Sequence, residues 1–336
     1  MDRIDFVVSW VDGTDHRWRE EKRKYLADAV CDADESRYRT LGTLKYWFRA
    51  VEKYAPWVNH VYFVTWGHVP PWLNLQCKKL SVVNHKDYSP APYLPTFSSH
   101  PIELNLHRIQ GLSEHFVYFN DDMLINAPIQ PEFFFQKGLP CDFAYIDNIY
   151  FDRSDDVYAH IQVNEVWEIS RHFSYLHAFL KHPTKFCNIK YPWKNNIKNI
   201  LKLENRRFFT GIENHHLASP YRKETLEEAW EESFALLDSV SKNKVRSPFD
   251  VSQSIFRYRQ IAQGKFFPVS KKSRGRSFAI AQNNDALVQA ILNGAYKMLC
   301  INDTPEKIDF ARAKEQILAA YGTKLPDRSQ FETVSK

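Results

Sequence analysis

The sequence predicts an α/β fold in which a mainly parallel sheet is flanked by helices. First, short runs rich in β-branched and aromatic residues alternate with segments whose apolar residues recur at helical spacing. Second, the first of these runs stops at Asp12-Gly13 and the fourth leads into Asn120-Asp121-Asp122, as expected of strands that end in turns. Third, a chain of 336 residues that is 44% hydrophobic and 15% aromatic can bury a large core. That composition excludes a disordered, collagen-like or coiled-coil chain.

Four runs are predicted as strands and two intervening segments as helices. The predicted strands are 4–11, 60–65, 80–83 and 116–119, and the predicted helices are 44–54 and 102–109. Strands that alternate with helices form βαβ units, whose strands are parallel neighbours in one sheet. We therefore expect a Rossmann-like sheet in the first 150 residues.

The second half of the chain is predicted to be mainly helical and to complete the same unit. No linker, repeat or change in composition separates the two halves. We therefore expect one unit over residues 1–336, with an α/β core at 1–150 and a helical part at 151–336.

Two capping patterns predict helices in the second half. Thr225 and Glu228 form a capping-box pattern ahead of an apolar stripe that reaches Leu237, which predicts one helix. Thr304-Pro305 is predicted to open the last helix, which should stop at Gly322.

Composition and motifs exclude several classes of protein. The net charge of +5 is too small to favour a nucleic-acid partner. Neither G-x-G-x-x-G nor G-x-x-x-x-G-K-[ST] occurs, so a glycine-rich loop does not hold phosphate here. Five widely spaced cysteines without a C-x-x-C pair fit neither a disulfide framework nor a zinc site, and they favour a reducing compartment.

The sequence also predicts a cytoplasmic location. Residues 54–77 carry no Asp, Glu, Lys or Arg, but polar residues and the Pro70-Pro71 pair interrupt them, so no membrane span is predicted. The N-terminus lacks the long apolar core of a secretion signal.

Acidic side chains follow the first and fourth predicted strands. In parallel sheets, ligands bind beyond the carboxyl ends of the strands. Asp121 and Asp122 are suited to bind Mg²⁺ while a substrate phosphate completes its coordination. Alternatively, Asn-Asp-Asp is a turn with no further role. Asp12, which precedes Gly13, has the same two interpretations.

Two further motifs offer groups for catalysis. Asn214-His215-His216 precedes a predicted helix and offers an imidazole, although a histidine pair is also common on protein surfaces. Arg246 is able to bind a phosphate through two hydrogen bonds, or it forms a modest surface ion pair with Asp250.

One local basic cluster stands out, next to Phe266-Phe267. It is either a solvated loop or a segment that contacts an anionic membrane surface or a lipid-diphosphate acceptor. The cluster comprises Lys265, Lys271, Lys272, Arg274 and Arg276.

Four blocks of the sequence resemble, in order, the signature regions of the Stealth family of sugar-phosphate transferases. This family includes bacterial capsule and exopolysaccharide enzymes and the catalytic subunit of the lysosomal-enzyme GlcNAc-1-phosphotransferase. The first block is IDFVVSWVDG at 4–13, and the second runs from 44 to 122 and ends in Phe119-Asn120-Asp121-Asp122. The third runs from Asn214-His215-His216-Leu217 through Arg246 to Asp250, and the fourth is Cys300-Ile301-Asn302-Asp303.

The resemblance implies transfer of a sugar-1-phosphate from a UDP-sugar to a hydroxyl of a growing cell-surface polysaccharide. The products would be a phosphodiester and UMP, and the acceptor would be a lipid-linked glycan. The resemblance implies a Mg²⁺ or Mn²⁺ ion held by Asp121 and Asp122. We expect His216 to act as the general base and Arg246 to stabilise charge on the transferring phosphoryl group. Asp122 is the third expected catalytic residue, through the cation that it holds. The residues expected to shape the donor pocket are Asp12, Gly13, Asn120, Asn302 and Asp303.

One position departs from the family pattern. The second block usually opens with an acidic residue, but this chain has Thr40 there. A threonine cannot attract a cation by charge.

Two other functions stay open at this point. A metal-dependent glycosyltransferase would attack the anomeric carbon and release UDP instead of UMP. A non-catalytic carbohydrate-binding protein would use some of the 24 Phe, 17 Tyr and 9 Trp side chains as stacking platforms and would need no nucleotide.

Overall fold

The computed structural model describes residues 2–26, 39–151, 156–303 and 308–333. Within these ranges the strands, in chain order, are β1 (Ile4–Trp10), β2 (Val61–Thr65), β3 (Leu80–Asn84), β4 (His115–Asn120), β5 (Met123–Ile125), β6 (Phe135–Gln136), β7 (Leu139–Asp142), β8 (Ser219–Arg222), β9 (Phe267–Pro268), β10 (Arg276–Ala279) and β11 (Met298–Asn302).

The central sheet has five strands in the order β3-β2-β1-β4-β8. The first four are mutually parallel, which confirms the predicted α/β fold and its parallel sheet. The fifth, β8, comes from the second half of the chain and pairs antiparallel with β4. The mainly helical half therefore also contributes a strand to the sheet, which the sequence pattern did not predict.

The helices lie on both faces of this sheet. In chain order the α-helices of the described residues are α1 (His16–Arg23), α2 (Leu44–Tyr54), α3 (His85–Tyr88), α4 (Ser99–Leu104), α5 (Val157–His172), α6 (Tyr175–Lys181), α7 (Pro183–Phe186), α8 (Trp193–Leu201), α9 (Lys223–Glu232), α10 (Phe234–Ser241), α11 (Ser254–Ala262), α12 (Asp285–Asn293) and α13 (Phe310–Lys324). Short 3-10 helices occur at Ala91–Tyr93, Leu106–Arg108, Pro131–Phe133, Lys202–Asn205 and Lys271–Ser273.

Strand β1 separates two hydrophobic cores. Because side chains alternate along a strand, Phe6 and Val8 pack into the core that contains α2 and α13, whereas Val7 packs into the core that contains α5 and α11. All three side chains are fully buried. Burial on both faces explains why this strand has an almost continuous apolar sequence.

Helix α2 shows the predicted helical spacing in its packing. Leu44, Trp47, Phe48, Val51 and Tyr54 recur at intervals of three and four residues, and all five are buried. Each such side chain contributes roughly 1.5–3 kcal/mol when it leaves water.

Two predicted helices are each divided in the structure. The segment 102–109 contains the end of α4 and a 3-10 turn, with a break at Asn105. The stripe from Thr225 to Leu237 is divided between α9 and α10 at Ser233, and Thr225 is buried inside α9 rather than capping it.

The last helix extends past its predicted stop. Thr304-Pro305 lies outside the described residues, and α13 has its N-cap at Asp309. Gly322 lies inside the helix, which ends at Lys324.

A second sheet joins distant parts of the chain at the carboxyl end of β4. Its strand order is β10-β11-β5, and β11 pairs antiparallel with β5 so that Cys300 lies opposite Met123. The backbone N–H of Ile301 donates to the carbonyl of Asp122 at 2.9 Å. The fourth signature block therefore lies directly beside the acidic turn.

No helix within the described residues is long and apolar enough to cross a membrane.

Candidate active site

The acidic turn lies between β4 and β5, at the carboxyl edge of the central sheet. Asn120 ends β4 and is paired in register with Ser9 on β1. Asp121 and Asp122 fill the two-residue turn that follows. Burial and the neighbouring Asp122 carboxylate raise the pKa of Asp121 to about 7. Within the described residues, the cluster of possible metal-ligand atoms at this turn includes Asp122 but not Asp121.

Asp122, His216 and Cys300 come from three separate parts of the chain and meet at this turn. The Nε2 atom of His216 lies 3.7 Å from Oδ2 of Asp122. One ligand atom from each residue lies within 4.8 Å of the others. The second carboxylate oxygen of Asp122, Oδ1, is buried and has no hydrogen-bond partner among the residues that the structure describes. A buried acceptor without a donor is costly, and a bound cation would satisfy it.

Cys300 is suited to orient this group rather than to bind a hard cation. Burial and the nearby Asp122 carboxylate raise the pKa of the thiol well above its ordinary value. The protonated Sγ donates to Oδ1 of Asn302 at 3.0 Å. Thiols are poor ligands for Mg²⁺, which prefers oxygen. This leaves the carboxylates and His216 as the ligand candidates.

The predicted residue Asn302 therefore lies beside the acidic turn. It ends β11, and its carbonyl accepts from the N–H of Ile280 at 3.0 Å. Its contact with Cys300 makes it part of the same group as Asp122.

His216 is held by a loop that Arg257 anchors. The guanidinium of Arg257 donates to both carboxylate oxygens of Asp142, at 2.8 and 2.9 Å. It also donates to the carbonyl of Glu213 and to Oδ1 of Asn214, at 3.0 and 2.9 Å. Asn214 in turn donates to the hydroxyl of Tyr258 at 2.8 Å. The chain is thus fixed two residues before His216.

The two adjacent histidines have different environments. His215 is packed against the ring of Phe143, with 5.3 Å between ring centroids. Burial and the nearby Arg257 lower the pKa of His215 well below its ordinary value, so it stays neutral. The side chain of His216 is 48% exposed. Of the two, only His216 is open to a substrate.

Asp12 and Gly13 form the turn after β1. Oδ1 of Asp12 accepts hydrogen bonds from the backbone N–H and the hydroxyl of Thr14, at 2.9 and 2.6 Å. This is an Asx turn, so one carboxylate oxygen of Asp12 has a structural role. Asp15 caps α1 and contacts His68, with Oδ2 and Nδ1 3.1 Å apart.

Arg246 lies beside α4. Its Nη2 donates to the hydroxyl of Ser99 at 3.3 Å. Within the described part of the chain, Arg246 forms no ion pair with Asp122 or with Asp250. The alternative of a surface ion pair between Arg246 and Asp250 is therefore wrong.

Asp250 is instead buried in a polar cluster. It accepts from Nδ1 of His100 at 2.8 Å and from the side chain of Asn243 at 2.6 Å. The segment that carries Arg246 is thereby fixed, because the backbone N–H of Ser247 also donates to Asp250.

Asp303 forms a bidentate ion pair with Arg39, at 2.8 and 2.9 Å. The Arg39 guanidinium lies over the ring of Phe310, 4.5 Å from its centroid. This carboxylate therefore helps to attach the segment before α2 to the end of β11.

Thr40 contributes to the same attachment. Its hydroxyl accepts from the N–H of Gly42, and its carbonyl accepts from Lys314. The position that carries an acid in the family pattern thus has a structural role in this chain.

The basic cluster of the sequence is largely neutralised. Lys265 forms ion pairs with Glu224 and Glu228, and Lys271 forms one with Glu213. Arg274 is 1% exposed. In the described ranges, only Lys272 and Arg276 of this cluster are exposed and have no acidic partner. Little unpaired positive charge is therefore left for the predicted contact with a membrane.

Sequence reasoning missed a buried hydrogen-bond chain beneath the site. The hydroxyls of Ser9 and Tyr118 are 2.6 Å apart, and Tyr118 donates to Glu103 at 3.4 Å. Ser9 and Tyr118 are 109 residues apart in the chain, so no local motif announces their contact. The same holds for Arg257, whose hydrogen-bond partners Asp142, Glu213 and Asn214 are all more than 40 residues away in the chain.

Sequence comparisons bear on the identity of the chain. It matches Stealth protein conserved region 1 over residues 2–29 and conserved region 2 over residues 37–141. It is 38% identical over 337 residues to the receptor polysaccharide phosphotransferase WefC of Streptococcus gordonii, with 99% of each chain covered. The chain belongs to the Stealth family.

Other relatives of this Stealth protein carry similar names. The capsular polysaccharide phosphotransferase WcwK of Streptococcus pneumoniae is 38% identical, with 99% of this chain and 100% of the relative covered. The exopolysaccharide phosphotransferase cps2G of Lactiplantibacillus plantarum is 38% identical, with 98% and 96% covered. Among solved structures, one match is the galactosyltransferase LgtC in complex with donor and acceptor sugar analogs. The TM-score is 0.40 and the sequence identity is 11%, with 97% of this chain and 98% of that chain covered.

Proposed function

We propose that this Stealth protein transfers a sugar-1-phosphate from a UDP-sugar to a hydroxyl of a growing cell-surface polysaccharide, forming a phosphodiester and releasing UMP. Family membership and the names of the full-length relatives support a phosphotransferase.

The observation that carries the proposal is the meeting of Asp122 and His216 at the carboxyl edge of the sheet. Oδ2 of Asp122 and Nε2 of His216 are 3.7 Å apart, although the residues are far apart in the sequence. An acidic turn alone is common. An acidic turn joined by an accessible imidazole is suited to a reaction that needs both a cation and a proton acceptor.

Asp121 and Asp122 fit a divalent cation, Mg²⁺ or Mn²⁺. The unpartnered Oδ1 of Asp122 and the adjacent carboxyl of Asp121 are oxygen ligands of the kind that these ions prefer. When bound, the cation would neutralise charge on the donor diphosphate.

His216 is proposed as the general base. The acceptor hydroxyl attacks the β-phosphorus in line, and a new P–O bond forms as the bond to UMP breaks. The hydroxyl proton passes to Nε2 of His216, and the Asp122 carboxylate stabilises the resulting imidazolium because it lies close by.

The remaining predicted residues are assigned to donor binding. Arg246 is proposed to approach the phosphoryl group, since its single bond to Ser99 leaves most of its donors available. Asp12, Gly13, Asn120 and Asn302 border the same sheet edge or the acidic turn. Asp303 would act indirectly, because Arg39 occupies both of its oxygens.

Two unpartnered polar atoms support a nucleotide at the neighbouring strand ends. Within the described ranges, Nε1 of Trp10 and Nε2 of His68 are buried without hydrogen-bond partners; Trp10 ends β1, and His68 follows β2. Trp10 and His68 pack edge to face at 5.8 Å. Such atoms at the carboxyl edge of a parallel sheet are ready to bond a ligand.

We also propose that residues 1–336 act as a single catalytic unit and that the acceptor is lipid-linked. Strand β8 and the loop of His216 come from the second half, whereas the acidic turn comes from the first. Neither half alone contains both groups.

The deciding experiment identifies the nucleotide that leaves. The protein is incubated with a panel of UDP-sugars, Mg²⁺ and a lipid-linked repeat unit, and the products are separated by chromatography and mass spectrometry. We expect UMP and a phosphodiester, at a rate that Asp122→Asn lowers at a fixed Mg²⁺ concentration. Release of UDP with a glycosidic product would replace this proposal with glycosyl transfer.

A further inference from the structure

Helix α8 packs against the protein with its polar side. The side chain of Asn199 is fully buried, donates to the carbonyls of Ala144 and Phe186 at 2.6 Å, and accepts from the N–H of Ile146 at 2.9 Å. Asn196 makes two hydrogen bonds to the backbone of Asn188. Asparagines thus occupy the positions that a globular protein usually gives to apolar side chains.

The apolar side chains of α8 face solvent instead. Trp193, Ile197, Ile200 and Leu201 are 67%, 47%, 52% and 65% exposed. At about 100° per residue these four positions fall within an arc of about 100° on the helix surface. Ile189, just before the helix, is 98% exposed. We call these five residues the α8 face.

The surroundings of the α8 face are strongly basic. Between Glu168 and Glu204 the sequence contains no Asp or Glu but seven Lys and Arg residues, including Lys194 and Lys198 on α8 and Lys202 directly after it. Lys198 pairs with Asp147. Within the described ranges only Arg171 and Lys198 have acidic partners. The other five are Lys181, Lys185, Lys190, Lys194 and Lys202, of which Lys185 donates to the backbone carbonyls of Gly264 and Phe266.

We propose that the α8 face binds the surface of an anionic lipid membrane. An exposed apolar arc flanked by lysines is the pattern of a helix that lies in a membrane interface. Its apolar side chains would enter the headgroup region, while the lysines would contact anionic headgroups. A second copy of this chain fits less well, because a symmetric contact would bring the same cations together.

An apolar groove lies beside the end of α8. It has a volume of about 520 Å³, and its rim includes the exposed aromatic side chains of Tyr150, Trp167 and Phe208. Lys202 donates to Oδ1 of Asn148, which also lines the groove. Aromatic side chains are common at the level of lipid headgroups, so this neighbouring surface fits the same contact.

The α8 face is connected to the candidate active site. Asn199 binds the backbone at 144 and 146, and the N–H of Glu213 donates to the carbonyl of Tyr145 at 2.8 Å. Glu213 is three residues before His216. Helix α8 would therefore lie between a bound membrane and the segments that lead to His216. Delivery of a lipid-linked acceptor there rests on the proposed function, but membrane binding itself does not.

Vesicle co-sedimentation of the full chain tests the proposal. Vesicles of phosphatidylcholine alone are compared with vesicles that contain phosphatidylcholine and phosphatidylglycerol at a ratio of 70 to 30. We expect the protein to sediment with the anionic vesicles and to be released by salt. Ile197→Gln with Ile200→Gln removes apolar area without a change of charge and should weaken binding at least about tenfold.

Leu75→Gln is the matched control, since Leu75 is 55% exposed in the connection between β2 and β3. It should sediment like the unaltered protein, and thermal melting should show that all the variants fold. Binding by the double variant that equals that of the unaltered protein would overturn the proposal. An absence of vesicle binding by the unaltered protein would also overturn it. Light scattering would then show whether the α8 face instead forms a dimer that the double variant disrupts; either result excludes the proposed membrane contact. The vesicle assay contains no nucleotide-sugar donor. A lack of vesicle binding and a lack of UMP release are therefore independent results, and the first does not bear on the proposed function.

Discussion

Arg257 and Asp142 form a bidentate ion pair beneath the loop that carries His216. Both side chains are 4% exposed, and the two residues are 115 positions apart. The same guanidinium donates to the carbonyl of Glu213 and to the side chain of Asn214. A single buried side chain therefore joins β7 to the functional loop.

Arg257→Met should lower both stability and turnover. It leaves Asp142 buried without its partner, which typically costs about 3–5 kcal/mol of unfolding free energy. The double variant with Asp142→Leu should recover part of that loss, as measured by urea denaturation, because no unpaired charge is left. Its turnover should stay low, since Asn214 still lacks its donor. Full turnover in the double variant would show that Arg257 does not position the loop.

His216→Ala should reduce turnover by about 10²–10⁴-fold, because the acceptor hydroxyl loses its proton acceptor. The melting temperature should change little, since the side chain is about half exposed. His177→Ala, which removes an exposed histidine of α6, should keep normal rates. UMP release is the measurement, and near-normal release by His216→Ala would mean that another group accepts the proton.

Removal of divalent cations should abolish turnover, and Mg²⁺ or Mn²⁺ should restore it. Asp121→Asn and Asp122→Asn should each raise the cation concentration needed for half-maximal rate, because each removes a carboxylate ligand. A chelator titration followed by cation replacement measures this. Asp87→Asn is the control, since that carboxylate caps the short helix α3. Turnover that is unaffected by chelator would exclude the cation from the reaction.

Arg246→Ala should lower kcat/KM by about 10²–10³-fold through loss of charge stabilisation at the phosphoryl group. Stability should change by less than about 1 kcal/mol, because Arg246 forms one long hydrogen bond to Ser99. Steady-state kinetics and thermal melting separate the two effects. If rates stay normal, Arg246 does not act in the donor site.

Glu165→Gln should stabilise the protein at neutral pH but not at pH 4. Glu165 is 1% exposed, and burial raises its pKa from 4.5 to about 7, although Ser252 donates two hydrogen bonds to it. As pH rises from 4.5 to 7, the unfolded chain loses this proton before the folded chain does. The free energy of unfolding therefore falls over this window, by about 3 kcal/mol at most.

Glutamine keeps the Oε1 acceptor for Ser252 and does not ionise, so the variant should lose this part of the pH dependence. Urea denaturation at pH 4, 6 and 8 measures it. Equal stability differences at all three values would show that Glu165 titrates normally. Glu20→Gln, at an exposed position on α1, should leave the pH profile unchanged.

The sequence predicted the parallel sheet because its signals are local. Each of β1 to β4 is a short apolar run, and α2 shows its buried stripe in its spacing alone. It did not predict β8, whose sequence Ser-Pro-Tyr-Arg lacks the usual strand pattern. Pairing with β4 and burial of Tyr221 make this segment a strand, and both depend on tertiary contacts.

The candidate site divides in the same way. By itself the sequence determined the family, the acidic turn after β4 and the histidine pair, because these are contiguous motifs whose chemistry is carried by the residues themselves. Only the tertiary structure decided that His216 meets Asp122 and Cys300, that Arg39 binds Asp303, and that most of the basic segment is neutralised. The physical reason is that charge pairing and burial depend on distances in space, and residues far apart in a chain acquire those distances only when it folds.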